Sequence, residues 1–169
     1  MELKEALLAR RSVRRFTDKA VSESEIEELL HAAMSGPSAC NMTPWEFYAV
    51  TNSETLAALR TVTPYTKIVS PLAVIVCGNL KRALPGAHAA FWVQDCSAAT
   101  ENILLRAVDL GLGSVWCGIH PNREPERRVS EILGLSEDVI PLNIIFIGHP
   151  ETTPPPRDQY NAAFCHLIK

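Results

Sequence analysis

Apolar and polar positions along the chain alternate between two periods, and the switches mark the elements. Ile26, Leu29, Leu30, Ala33 and Met34 recur at i, i+3, i+4, i+7 and i+8, one apolar face of a helix. Ser22 and Glu25 form a capping box at its start, and Gly36-Pro37 stops it. Shorter helices are predicted over Glu2–Ala9, from a Ser53 cap to about Val62, and over Glu124–Leu133 before Gly134. The longest helical stretch, His88 to Leu110, contains neither glycine nor proline and carries apolar residues over a wide arc. At 1.5 Å per residue it would run about 34 Å, more than the depth of a single core of this size, so a mostly buried helix of that length suggests a partner subunit. Its narrower polar side holds Gln94, Asp95, Asn102, Arg106 and Asp109.

Strands are predicted at about Glu46–Thr51, Leu72–Cys77, Ser114–Ile119 and Ile140–Gly148. The run Leu72–Cys77 is continuously apolar and β-branched, which suits a strand covered on both faces. Helices and strands mix without strict βαβ alternation, so the fold class is α+β rather than doubly wound. The proline-rich tail after His149 is expected to stay extended until about Gln159.

Length and composition narrow the reading. At 169 residues the chain is expected to be a single domain, too short to combine a dinucleotide-binding domain with a substrate domain. Its 47% apolar and 21% charged content is that of an ordinary globular protein. A net charge of −3 argues against a general affinity for nucleic acid or anionic lipid. Met1 is followed by Glu2, Lys4 and Glu5 in place of an apolar leader, so a cytoplasmic location is expected. The cysteines Cys40, Cys77, Cys96, Cys117 and Cys165 form no C-x-x-C pair and read as reduced thiols, and the five histidines have no ligand spacing, so no metal site is expected.

Most standard site patterns are missing. Gly111-Leu112-Gly113 follows a helix and precedes a strand, which makes it a helix stop rather than a dinucleotide fingerprint. What stands out is Arg10, Arg11, Arg14 and Arg15 around Ser12. These side chains either complement the end of the first helix in solvent or clamp a phosphate, for which several guanidinium groups and a hydroxyl are suited. Two further segments bear on the choice: the small, polar loop Ser35–Pro44, able to lie against a flat ligand, and Arg157, held out behind Pro154-Pro155-Pro156.

Taken in order, Arg10-Arg11-Ser12-Val13-Arg14-Arg15-Phe16, Pro37-Ser38-Ala39-Cys40-Asn41 with Pro44-Trp45, Gly111 to Ile119, and Gly148-His149-Pro150 with Arg157 resemble the flavin-dependent nitroreductase family. The resemblance implies an α+β fold with a central mixed sheet flanked by helices, assembled as a homodimer with FMN at the subunit interface. It implies that Arg10, Arg11, Ser12, Arg14 and Arg157 hold the phosphate, ribityl chain and pyrimidine edge. By the same resemblance Pro37, Ser38, Ala39, Cys40 and Asn41 come from the other subunit, and Trp116, Cys117, Gly118 and Ile119 pass close to the ring. The implied activity is hydride transfer from NADH or NADPH through flavin N5 to a small acceptor such as a nitroaromatic or quinone. Two alternatives stay open: a dehalogenase or flavin-breakdown branch of the same fold, and a non-catalytic flavin-binding redox sensor reporting through Cys40 or Cys117.

Overall fold

Local chemistry starts and stops most of the elements. At the second helix the Ser22 hydroxyl accepts from the Glu25 N–H at 3.3 Å, and the Glu25 carboxylate accepts from the Ser22 N–H at 2.7 Å. Asn52 caps the third helix by accepting from the Thr55 N–H at 2.9 Å, and Gly134, with φ 64°, closes the fifth in the left-handed conformation glycine adopts most easily. The computed structural model describes residues 1–169, with α1 (Leu3–Ala9), α2 (Glu23–Met34), β1 (Trp45–Val50), α3 (Ser53–Leu59) and β2 (Leu72–Asn79) followed by α4 (Trp92–Asp109), β3 (Gly113–Gly118), α5 (Arg123–Leu133) and β4 (Val139–Gly148).

Two elements differ from those expected. The cap of α3 is Asn52 rather than Ser53, and the helix ends at Leu59 instead of reaching Val62. The long apolar stretch is not one helix: Gly86–Phe91 is a tighter 3-10 segment, and α4 has 18 residues, about 27 Å at 1.5 Å per residue. The 3-10 segment carries no buried residue, so the buried stripe expected along the whole stretch belongs to α4 alone.

The strands form one sheet in the order β1-β2-β4-β3, and every neighbouring pair is antiparallel. The parallel component of the expected mixed sheet is a single bridge, Ser12 to Ser114, laid alongside β3. Inner strands β2 and β4 are buried along almost their whole lengths, which is why they read as unbroken apolar runs. Leu29, Ala33, Ile103, Val74, Val76, Ile145 and Ile147 fill the layer shared with α2 and α4. On the other side Leu56, Leu59, Val129, Ile75, Ile144 and Phe146 pack together with Val13 and Phe16. The arginine-rich segment is therefore anchored to the core by its apolar members. No helix is long and apolar enough to cross a membrane.

Candidate functional site

The cluster that follows α1 is placed by alternation. Arg10 leaves the helix with ψ 117°, and from there the backbone is drawn along β3, where the Val13 N–H donates to the Ser114 carbonyl at 2.9 Å. Val13 and Phe16 point into the core, while Ser12, Arg14 and Arg15 are exposed. Gly113 permits this approach: a Cβ there would lie 2.8 Å from Val13 Cγ1 and 2.9 Å from Val13 Cβ. Gly113→Ala is expected to push the segment off the sheet and to destabilise the protein by about 1–3 kcal/mol, since the clash involves a core side chain anchored at both ends. Thermal unfolding checks it, and an unchanged Tm would show that Val13 can yield.

The C-terminal tail closes the site from the other side. Phe16 bridges to Pro150, the Arg157 N–H donates to the Leu8 carbonyl at 2.8 Å, and an Arg11 guanidinium N–H donates to the Pro155 carbonyl at 2.6 Å. Arg10, Arg11, Ser12, Arg14 and Arg157 thereby line one cleft of about 450 Å³, together with Leu7, Leu8, Gln159 and Tyr160. Arg10 has a carboxylate neighbour, Glu101 of α4, at 3.4 Å. Burial pushes the Glu101 carboxyl up while Arg10 opposes the shift. Arg14 and Arg157 have no ion-pair partner, so the cleft presents unneutralised guanidinium groups to whatever enters it.

Arg14 also borders a second cleft, of about 440 Å³, whose character is different. Its walls include Val115, Trp116, Cys117 and Gly118 of β3 and, facing them, Pro64, Tyr65, Lys67 and Ile68. In front of Gly118 the space is open, since a Cβ there would meet nothing within 4 Å. Trp116 is 37% exposed at this edge. The Cys117 thiol donates to the Tyr65 carbonyl, and burial pushes it up to about 11 with Arg14 opposing. Ile119 lines neither cleft: it is fully buried, and its N–H donates to Leu142.

Tyr65 and Lys67 were not singled out by sequence. The signal available was Thr63-Pro64, a cap followed by proline at the first position of a turn, and the Thr63 hydroxyl does accept from the Tyr65 N–H at 3.2 Å. That pattern locates a turn without saying which cleft it faces.

Pro37, Ser38, Ala39, Cys40 and Asn41 line neither cleft of their own chain. They form a short turn after α2 in which Cys40 (φ 49°), Asn41 (φ 56°) and, just beyond, Thr43 (φ 46°) are left-handed. Asparagine tolerates this conformation, whereas for a β-branched threonine it costs on the order of 1–2 kcal/mol. The Ser38 hydroxyl accepts from the Thr43 N–H at 2.9 Å, and the Asp95 carboxylate accepts from the Ala39 N–H at 2.8 Å.

Comparison with known proteins supplies the context for these clefts. The nitroreductase family model matches residues 7–70 and 68–149. A protein of Methanothermobacter thermautotrophicus, provisionally named NADH dehydrogenase/NAD(P)H nitroreductase, is 42% identical over the whole of this chain and 88% of its own length. A crystal structure from Parabacteroides distasonis with the same provisional name superposes with a TM-score of 0.92 at 32% identity, covering 99% of this chain and 98% of the other. A provisionally named nitroreductase from Desulfovibrio desulfuricans, solved in complex with FMN, superposes with a TM-score of 0.83 at 26% identity, over 99% of this chain and 96% of that one.

Proposed function

The chain belongs to the nitroreductase family, and from that membership we propose that it is an FMN-dependent oxidoreductase that takes hydride from NADH or NADPH and delivers it to a small acceptor such as a nitroaromatic or a quinone. One observation carries the reading: a cationic cleft and a more apolar one share Arg14 as a wall. A phosphate joined to a ring system by a short chain is the ligand such a pair accommodates. FMN has that form, and its phosphate carries close to two negative charges.

The residues fit FMN in kind and in number. Arg10, Arg14 and Arg157 have guanidinium groups to donate to the phosphate, and Ser12 is exposed beside them. Arg11 is already engaged with the Pro155 carbonyl, so it holds the tail as well as adding charge. Along the β3 edge, the missing side chain of Gly118 lets the backbone come close to a flat ring, with Trp116 and Cys117 beside it. Arg14 and Lys67 bring cationic donors to this second cleft. Bound FMN supplies hydride acceptance and release at N5, and the protein supplies orientation and charge. No side chain is assigned as a general acid or base.

The assembly proposed is a homodimer. In one protomer α4 turns Ala98, Glu101 and Leu105 only partly inward, and Leu3, Leu7 and Met34 beside it are more than half exposed. A second copy covering this face would bury them and bring Pro37, Ser38, Ala39, Cys40 and Asn41 of the partner subunit against the ring. Burial of Cys117 and its raised thiol argue against a redox sensor working through that residue.

Anaerobic mixing tests the proposal. The FMN-loaded protein is expected to lose its yellow absorbance on addition of NADH or NADPH and to regain it on addition of a nitroaromatic or a quinone. A colourless preparation that binds no added FMN would overturn the reading.

A further inference from the structure

We infer that Asp95, which lines neither cleft, is a positioning residue for the flavin, because its carboxylate fixes the Pro37–Asn41 turn to α4. The inference rests on the assignment of that turn to the flavin site of the partner subunit. Asp95 lies in the first turn of α4 and is only 6% exposed. No lysine, arginine or histidine stands within ion-pair distance of it, yet a carboxylate withdrawn from water needs hydrogen bonds. The one it makes is to the Ala39 N–H, at 2.8 Å.

The remaining hydrogen bonds of residues 37–43 stay inside the turn. Asn41 N–H donates to the Ser38 carbonyl at 3.0 Å, Met42 N–H to the Ala39 carbonyl at 3.0 Å, and Thr43 N–H to the Ser38 hydroxyl at 2.9 Å. These shape the turn, but they do not locate it. Across residues 37–43, Asp95 makes the one hydrogen bond that ties the turn to another part of the molecule. Three left-handed non-glycine residues follow within four positions of the Ala39 amide, so a released turn would relax toward ordinary conformations and present a different surface. Because the acceptor is charged, the bond is a strong one. It also joins the turn to the helix proposed as the dimer core, so the position of α4 and the surface offered to the partner's flavin change together.

A double-mutant cycle on the full chain tests this, read as the FMN Kd from quenching of flavin fluorescence. Asp95→Ala is expected to raise the Kd at least tenfold, and Asp95→Asn, which keeps an oxygen acceptor in place, to stay within about threefold of wild type. Ala39→Pro removes the donor instead; Ser38, at φ −138° and ψ 153°, already has the extended backbone that a following proline requires. Since the two changes delete opposite ends of one bond, the double variant is expected to lose no more affinity than the weaker-binding single variant. Ile103→Val, which thins the core behind the same helix, is expected to lower the Tm and leave the Kd unchanged. Should Asp95→Ala fail to fold, the cycle is run with Asp95→Ser. Wild-type affinity in the Asp95 variant, additive losses in the cycle, or an equal Kd loss in Ile103→Val would overturn the assignment while FMN binding by the wild type left the proposed function standing. A wild-type protein that binds no FMN would overturn both.

Discussion

Replacing Arg10 and Arg157 together by alanine is expected to weaken FMN binding by about two to four orders of magnitude. A charge-assisted hydrogen bond is worth roughly 1.5–3 kcal/mol, so losing two costs about 3–6 kcal/mol, at a factor of ten for each 1.4 kcal/mol. These two residues reach the cationic cleft from opposite ends of the chain. Neither is needed as a side chain to hold the cleft together: the tail is tied by the backbone bond from Arg157 to Leu8 and by the Arg11 contact to Pro155. Arg10 does lose its pair with Glu101, a partly exposed contact worth about 0–1 kcal/mol, so the double variant should keep its Tm to within a few degrees in the absence of FMN. Titration at low and high ionic strength is the measurement, and the salt dependence is expected to be shallower in the variant because two screened charges are gone. A loss of tenfold or less would show that the cleft does not hold the phosphate.

Phe146→Ala is expected to lower stability by about 3–5 kcal/mol, the range for truncating a large aromatic in a close-packed core. Phe146 is fully buried on β4, between Ala73 of β2 and Val115 of β3, and shares its core layer with Val13 and Phe16. For a chain of this size each kcal/mol corresponds to roughly 2–4 °C in Tm, so the midpoint should fall by about 6–20 °C. Since Val13 and Phe16 hold the arginine segment to that layer, FMN affinity is expected to fall as well. A loss below about 1 kcal/mol would mean that the surrounding side chains close the cavity.

What could be read along the chain follows from how local each signal is. The capping box at Ser22, the stop at Gly134 and the apolar run Leu72–Cys77 each depend on residues within a few positions of one another, and the elements they mark formed at about the expected places. Asp95 shows where such reading ends. Periodicity puts it on the polar side of its helix, yet it is buried, because its hydrogen-bond partner Ala39 lies 56 positions away. The same holds for Lys67 and Tyr65, whose turn is written in Thr63-Pro64 but whose cleft is made by β3. The break between Gly86–Phe91 and α4 was hidden for a different reason: a 3-10 turn and an α-helix tolerate the same residues over a few positions.

By itself, then, the sequence determined the order and approximate place of most helices and strands, the concentration of positive charge between Arg10 and Arg15, and the family resemblance carried by its ordered motifs. Tertiary structure decided which of those charges share a cleft. Arg157 meets Arg10 only because the tail folds back on Leu8, and Arg14 borders both clefts only because Gly113 lets its segment lie against β3. It also decided that the Pro37–Asn41 turn and Ile119 stand away from the clefts of their own chain. Local periodicity reports which face of an element is apolar. Which distant element covers that face is settled by sheet register, close approach and packing among residues far apart in the chain.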